Sequence, residues 1–308
     1  MEQKVNLYWI PISILLFLVI VIIFLYTMYK LLVNYVKKYI SSYVKKITDE
    51  LEIAMHSICE ETYTPTSITS SKSYDKKNAY SLNQVCNTTS SWAKCKTNIA
   101  LVPNFSVVKT FQLTDPVDSR KLDNAILMYS TSQNIAIISF SGTVFLDEWI
   151  DDFDFQHQKK PSFINDSDYS ILVEKDQCMM YESMRDEILK SLSSILTDKT
   201  FVYCTGHSLG GVLASLCFLD LIINKPSTQC VLYSFGSPRV GNIPFAEKIT
   251  NTQNAYRVVN TEDIIPTLPL PVIKNNIFYE HYGNTITFTL NLKNLGSNHT
   301  TSYEKYLK

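Results

Sequence analysis

The segment "FVYCTGHSLGGVLASL", residues 201–216, joins an apolar run typical of a β-strand to an apolar run typical of a helix through a Gly-x-Ser-x-Gly pattern. In this context the pattern predicts a tight turn that exposes the hydroxyl of Ser208 at the helix N-terminus. Only eight glycines occur in 308 residues, and three of them lie between Gly206 and Gly211. Because glycine permits close backbone approach at a cost in conformational entropy, this clustering favours a constrained turn over an ordinary strand–helix loop.

Strand and helix patterns alternate on both sides of this turn. Strand patterns occur at 125–129, 135–140, 201–204, 230–235, 255–260 and 286–292, and helical spacing occurs at 178–196 and 209–223. This alternation predicts an α/β fold with a mostly parallel sheet and helices on both faces. We expect one such domain over 99–308, after a polar connecting segment (61–98) with little periodicity.

The N-terminal region has a different composition. Residues 7–29 are uncharged and mostly apolar, and as a helix they would be about 35 Å long, enough to span a bilayer. A cleaved signal peptide is the alternative, but its apolar region would be shorter and followed by small residues. We therefore predict an uncleaved transmembrane anchor over residues 1–30.

The next segment, 31–60, has apolar residues at intervals of three or four with lysines off this stripe. The pattern is typical of a basic amphipathic helix that lies on anionic lipid. A helix that packs on the following domain, with its lysines merely solvated, would show the same pattern. Both interpretations stay open.

Two signals disagree about the side of the membrane. The C-terminal flank of the apolar run carries several lysines and the N-terminal flank one, which slightly favours a cytosolic domain. Asn-x-Ser/Thr patterns would instead suit a glycosylating lumen, although such triplets arise by chance in a chain rich in these residues; they occur at Asn87, Asn104, Asn165 and Asn298.

The remaining composition excludes some function classes. A net charge of −1 gives no electrostatic case for nucleic-acid binding, and the sequence shows no metal-ligand spacing, so we expect no metal and no cofactor. Of seven cysteines, Cys86 and Cys95 lie in a polar segment where a disulfide could form only if the domain were luminal, and the sequence favours leaving them unbridged. The cysteines in apolar stretches are predicted to be buried thiols; these are Cys204, Cys217 and Cys230. The oligomeric state stays open.

A serine nucleophile needs a base and an acid that orients the base. With this type of turn, the acid and then the histidine follow the serine along the chain. Asp263 directly follows a predicted strand, where functional loops gather, and is a better acid than Asp220 inside the helix. His299 follows the last strand through a turn-rich loop, whereas His281 precedes that strand and is the weaker choice as base. We predict Ser208, Asp263 and His299 as the catalytic residues.

Developing charge on the substrate needs hydrogen-bond donors beside the serine. The backbone N–H of Leu209 is one predicted donor, and Thr143, which follows a strand end and Gly142, is the other. Beyond it a helically spaced apolar stripe suits a short lid that opens at a lipid surface; the stripe contains Phe145, Leu146, Trp149 and Ile150. An ordinary surface helix with its apolar face in the core is the alternative.

From about residue 50 onward the chain resembles the class 3 (fungal-type) lipases of the α/β-hydrolase superfamily. The resemblance rests on ordered blocks: Gly142-Thr143 followed by Trp149 and Asp152, "TGHSLGG" (205–211), "FGSPRVGN" (235–242), "YRVVNTEDIIPTLP" (256–269), "YEHYG" (279–283) and "NHTTSY" (298–303). It implies the same three catalytic residues. Two features depart from the family: Ser141 stands where arginine is usual, and the anchor is foreign to the secreted fungal members.

Together these features predict a membrane-anchored serine hydrolase of lipid esters, tri- or diacylglycerol, that acts through an acyl-enzyme. Its partners would be the lipid-ester substrate and the bilayer, with no nucleic acid. The alternatives are a phospholipase A1-type activity, a soluble-substrate esterase or acyltransferase, and a catalytically silent membrane-binding module.

Overall fold

A 46-residue helix, α1 (Ile12–Ser57), begins the part of the chain that the computed structural model describes, namely residues 12–142, 157–165, 170–273 and 276–308. The chain divides into two units, Met1–Ile47 and Thr48–Lys308. Within the first unit, Ile20–Tyr43 has a mean hydropathy of 1.5 and is long and apolar enough to cross a membrane. A signal sequence has the same properties, so this helix is a candidate span and not an established one.

The remaining elements follow in chain order. They are α2 (Lys76–Cys95), β1 (Ser106–Thr114), β2 (Lys121–Ser130), β3 (Ile135–Phe140), β4 (Gln158–Lys159), β5 (Val173–Glu174), α3 (Lys175–Ser193), β6 (Phe201–His207), α4 (Leu209–Asn224), β7 (Gln229–Phe235), α5 (Ile243–Thr250), β8 (Ala255–Asn260), a 3-10 turn (Ile265–Thr267), β9 (Val272–Ile273), β10 (Ile277–Phe278), β11 (Asn284–Phe288), α6 (Leu295–His299) and α7 (Thr301–Leu307).

Seven of the strands form one sheet in the order β1-β2-β3-β6-β7-β8-β11. β1, β2 and β3 pair antiparallel, and every pair from β3 onward is parallel. β3 and β6 are buried at every position, as expected of parallel strands with helices on both faces. The predicted α/β fold with a mostly parallel sheet is confirmed. Because parallel strands end at one edge, the segments after β6, β8 and β11 lie on the same side of the sheet.

The interpretation of 61–98 as a connecting segment is wrong for its second half, which forms α2. Asp75 caps this helix by accepting the backbone N–H of Asn78, and most of the helix is buried. The buried positions include small polar side chains that bond to the sheet: Thr89 Oγ1 donates to Ser139 Oγ (2.8 Å). The buried face mixes these polar side chains with a few apolar ones, such as Leu82 and Val85, so its hydrophobic periodicity is weak and the sequence pattern did not reveal the helix.

The cysteines pair differently from the sequence expectation. Cys59 and Cys95 form a disulfide with Cα atoms 5.9 Å apart. Cys86 is a buried free thiol with its Sγ 3.2 Å from Thr205 Oγ1, so Cys86 and Cys95 are not bridged to each other, and the Cys59–Cys95 pairing was missed. The buried thiols expected in the apolar stretches, at Cys204, Cys217 and Cys230, are confirmed.

Asp220 lies in a buried hydrogen-bond cluster. Its fully buried carboxylate accepts hydrogen bonds from Tyr181 Oη (2.8 Å), from Arg185 Nε (2.6 Å) and Nη2 (3.1 Å), and from Asn224 Nδ2 (2.7 Å). These bonds join α3 to α4. A buried carboxylate is stable only with such donors, so the cluster links the two helices.

We expect Asp220→Ala to lower the free energy of unfolding by about 3 kcal/mol, because it removes the acceptor of a buried hydrogen-bonded charge. Asp186→Ala is the matched control: this carboxylate also contacts Arg185, at 3.4 Å, but is 95% exposed, so its loss costs at most about 1 kcal/mol. Urea unfolding of the detergent-solubilised chain measures both. Equal losses would show that the buried cluster does not stabilise the α3–α4 contact.

Candidate active site

Ser208 occupies a strained turn between β6 and α4. Its φ and ψ angles are 57° and −128°, a positive φ that costs a non-glycine residue about 1–3 kcal/mol. The backbone closes so tightly that a Cβ on Gly206 would lie 2.0 Å from the carbonyl oxygen of Gly210, so only glycine fits there. The Ser208 N–H donates to the Phe235 carbonyl (2.9 Å), which fixes the turn to β7.

Asp263 and His299 form a buried pair at the same sheet edge. Asp263 follows β8, and His299 is the last residue of α6. The Nδ1–H of His299 donates to Asp263 Oδ2 (2.8 Å), and both side chains are fully buried. The backbone N–H of Ile265 donates to Oδ1 (3.0 Å) and fixes the carboxylate. With its proton on Nδ1, the imidazole keeps the lone pair on Nε2, the arrangement a general base requires.

The serine hydroxyl and the second imidazole nitrogen are the other two atoms that general-base catalysis would use. Ser208 Oγ and His299 Nε2 are both buried and have no hydrogen-bond partner among the described residues. The ring of His207, the residue before Ser208, lies 4.5 Å from the ring of His299. Catalytic hydrogen bonds are often long without substrate, so this arrangement suits a site in its resting state.

The predicted oxyanion donors are only partly described. Leu209 is the first residue of α4, so its N–H has no partner within that helix. Thr143 and the predicted lid residues lie outside the described residues; these lid residues are Phe145, Leu146, Trp149 and Ile150. Gly142, just before Thr143, does lie beside Ser208, because a Cβ built on it would be 3.5 Å from the Cβ of Ser208.

Two residues that sequence analysis missed hold the loop at Ser141, where the lipase family usually has arginine. The backbone N–H of Ser141 donates to the Asn124 carbonyl (2.7 Å), and Asn124 Nδ2 donates back to the Ser141 carbonyl (3.4 Å). The N–H of Gly142 donates to Ser90 Oγ (3.3 Å). Ser90 belongs to α2, so it could not be identified while that segment was interpreted as a connection.

Tyr303 and His207 complete the surroundings of the pair and were also missed. Tyr303 Oη donates to Asp263 Oδ2 (2.6 Å); burial, and then the nearby carboxylate, raise the pKa of this phenol well above 10. His207 Nε2–H donates to the backbone carbonyl of His299 (2.6 Å). Burial, together with the neighbouring His299, lowers the pKa of His207 to about 3, so its ring is neutral at physiological pH.

His281 does not reach this pair. Its Nε2 lies 2.8 Å from the Pro266 carbonyl oxygen and 3.2 Å from Arg257 Nη2. Burial, and then Arg257, lower the pKa of His281 to about 3. The geometry therefore favours His299 as the base. Within the described ranges, no group of three or more His, Cys, Asp or Glu side chains could hold a metal ion.

The C-terminal end of α1 supports the helix that carries His299. Glu50 Oε2 accepts the backbone N–H of Leu295, the first residue of α6, at 2.9 Å. A Cβ on Gly296 would lie 2.2 Å from the Glu50 carbonyl oxygen and 2.6 Å from Ala54 Cβ. Only glycine permits this approach, so α1 and α6 pack backbone to backbone.

Comparisons with known proteins show which family the chain resembles. A family model of class 3 lipases matches residues 137–273. The chain is 31% identical over 156 residues to a secreted mono- and diacylglycerol lipase A of Penicillium cyclopium, covering 50% of this chain and 49% of that protein. It is 27% identical over 194 residues to phospholipase A1-II 5 of Oryza sativa subsp. indica, covering 51% of this chain and 39% of that protein.

The fold is also found in solved structures. The mono- and diacylglycerol lipase of Aspergillus oryzae superposes with a TM-score of 0.57 at 21% identity, covering 71% of this chain and 81% of that one. At that identity the likeness concerns the fold alone. The chain spans about half the length, or less, of these two curated relatives.

We expect His207→Gln to weaken the acid sensitivity of the fold. Below pH 6.5 the unfolded chain protonates His207 while the folded chain, with a pKa of about 3, does not, so this residue costs about 1.4 kcal/mol of stability per pH unit as the pH falls. The variant should therefore lose about 2–3 kcal/mol less than the native chain between pH 6.5 and 4.5. Unfolding curves at both pH values test this, and parallel losses in the two proteins would contradict it.

We expect Glu50→Ala to loosen α6, because the Leu295 N–H loses a charged acceptor worth about 1.5–3 kcal/mol. Hydrogen exchange read by mass spectrometry should be about tenfold or more faster in the peptide covering 295–300. Glu60→Ala, at an exposed position beyond the end of α1, is the control and should leave that peptide unchanged. Unchanged protection in Glu50→Ala would show that α1 does not hold α6.

Proposed function

Because the chain belongs to the class 3 lipase family of the α/β-hydrolase superfamily, we propose that it is a serine hydrolase of lipid esters. The observation that carries the proposal is the buried Asp263–His299 pair, in which the imidazole nitrogen Nε2 has no hydrogen-bond partner. Ser208, whose backbone is strained, likewise has a hydroxyl with no hydrogen-bond partner. A serine with these neighbours suits acyl transfer, in which a carbonyl carbon is attacked.

In the proposed reaction, Ser208 Oγ attacks the ester carbonyl while His299 Nε2 takes its proton. Asp263 holds the imidazole in the required tautomer and stabilises the imidazolium that forms. The Leu209 N–H and Thr143 hold the oxyanion, each donor being worth about 3–4 kcal/mol of the barrier. His299 returns the proton to the leaving alcohol. Water then attacks the acyl carbon while His299 Nε2 takes its proton, the bond to Ser208 Oγ breaks, and His299 returns the proton to that oxygen as the carboxylic acid leaves.

The proposed substrates are tri- or diacylglycerols. The fungal relative is named as a mono- and diacylglycerol lipase, which supports this class. A phospholipase A1-type activity is the second candidate, because a rice relative carries that name at comparable coverage of this chain. The chemistry needs no cofactor and no metal in either case.

We also propose that the N-terminal helix tethers the enzyme to a bilayer, so that substrates dissolved in the membrane are presented at high local concentration. The apolar stretch Ile20–Tyr43 supports this. The secreted fungal relative makes a cleaved leader the alternative. Retention of the full-length chain in the membrane pellet after alkaline carbonate extraction supports the anchor, and release into the supernatant contradicts it.

We also propose that residues 145–150 form a lid, which closes the site in water and opens at a lipid surface.

The proposal predicts interfacial activation. With glycerol esters of increasing acyl length, hydrolysis by the detergent-free, membrane-reconstituted chain should rise once the substrate exceeds its solubility, and phosphatidylcholine vesicles test the second candidate. Ser208→Ala should lower kcat by at least about 10³-fold, and Asp263→Asn by about 10⁴-fold.

Ser191→Ala, a serine on α3 whose hydroxyl bonds within its own helix, is the matched control and should be fully active. A rate that falls for aggregated substrate would indicate a soluble-substrate esterase. Hydrolysis unaffected by Ser208→Ala would refute the assigned nucleophile, and a folded chain inactive on every ester would indicate a binding module.

A further inference from the structure

We propose that Asn104 is an N-glycosylation site and that the unit Thr48–Lys308 therefore lies in an oxidising lumen or outside the cell. Two independent observations carry this: the pairing state of the cysteines, and the way the structure sorts the Asn-x-Ser/Thr patterns into buried and exposed ones. The inference does not depend on the proposed lipase activity.

The first observation is the disulfide between Cys59, just beyond α1, and Cys95, the last residue of α2. Structural disulfides persist in oxidising compartments and are rare in the cytosol, where thiols are kept reduced. The other five cysteines are buried, so none of them competes for this pairing at the surface. As evidence for the compartment, the disulfide is stronger than the lysines that flank the apolar helix, because the positive-inside tendency is a bias and not a rule.

Asn298 cannot carry a glycan in the folded chain. Its side chain is buried: Oδ1 accepts the Leu292 N–H (2.7 Å) and Nδ2 donates to the Glu262 carbonyl (3.2 Å). Because this amide is buried, a sugar on Nδ2 would displace the segment that positions His299. This pattern is therefore excluded by folding.

Asn87 is also unsuitable. It is half-buried on α2 and lines a narrow crevice with Ile58, Tyr63 and Thr300. The hydroxyl residue of its pattern, Thr89, is fully buried, and its hydroxyl bonds to Ser139 Oγ (2.8 Å). A glycan cannot leave this crevice without separating α2 from its neighbours.

Asn104 differs in every respect. It is exposed in the turn before β1, with a φ of 68° that asparagine tolerates better than most residues. The hydroxyl residue of its pattern, Ser106, is exposed as well, at the start of β1. For Asn165, the hydroxyl residue at 167 lies outside the described residues, so the proposal is confined to Asn104.

The location of Asn104 also keeps a glycan clear of the active site. Ser106 pairs with Tyr129 near the end of β2, and the adjacent Ser130 pairs with Ile135 at the start of β3. β3 runs parallel to β6, so Asn104 lies at the amino edge of the parallel strands. Ser208 follows the opposite, carboxyl edge.

The modification needs a lipid-diphosphate-linked oligosaccharide as co-reactant. The side-chain nitrogen of Asn104 forms a bond to the anomeric carbon of the sugar, and the bond from that carbon to the diphosphate oxygen breaks. The lipid diphosphate leaves with the electron pair, and the amide loses one proton. No oxidation or reduction occurs.

The test uses the full chain expressed in a yeast secretory host. Treatment with peptide N-glycosidase should increase its electrophoretic mobility, and Asn104→Gln and Ser106→Ala should each remove one glycan. Ser106→Thr, which keeps the pattern, is the matched control and should retain that glycan. Mass spectrometry after the enzyme should find residue 104 converted to aspartate.

A second measurement probes the compartment without any variant. Alkylation of the denatured chain should modify five thiols before reduction and seven after it, with Cys59 and Cys95 as the additional pair. The proposal is overturned if the chain is insensitive to the glycosidase, if its glycans persist unchanged in Asn104→Gln, or if all seven thiols react without reduction.

Discussion

The carboxylate of Asp263 is the group on which the geometry of the site depends. It is buried and accepts three hydrogen bonds, from the His299 imidazole, the Tyr303 phenol and the Ile265 backbone. A carboxylate away from water is tolerated only when its oxygens are satisfied in this way. The same requirement that stabilises the carboxylate also fixes the imidazole, so folding and the positioning of the proposed base are one constraint.

The elements that sequence analysis placed correctly are those with a strong local signal. The buried parallel strands read as continuous apolar runs, and the glycines around Ser208 mark a turn whose backbone leaves no space for a Cβ. Strand order along the chain also predicted that Asp263 and His299 meet at one sheet edge. These features follow from neighbours in sequence or from the general rule that parallel strands end together.

The features it missed depend on contacts between distant residues. α2 buries a polar face against the sheet, so its signal in a hydrophobic pattern is weak, and with it Ser90 was overlooked. Tyr303 and Asn124 look like ordinary residues of a helix and a strand until the fold places them beside Asp263 and Ser141. The pairing of Cys59 with Cys95 likewise depends on where α2 ends.

The backbone contact between α1 and α6 has a consequence for where the chain can be cleaved. Glu50 and Ala54 of α1 pack closely against Gly296 of α6, the helix that contains His299. A protease that cuts before Thr48 would leave residues 48–308 with this support intact. A cut after Ala54 would remove the residues that pack against Gly296, so the position of the cut would decide whether α6 keeps His299 in place.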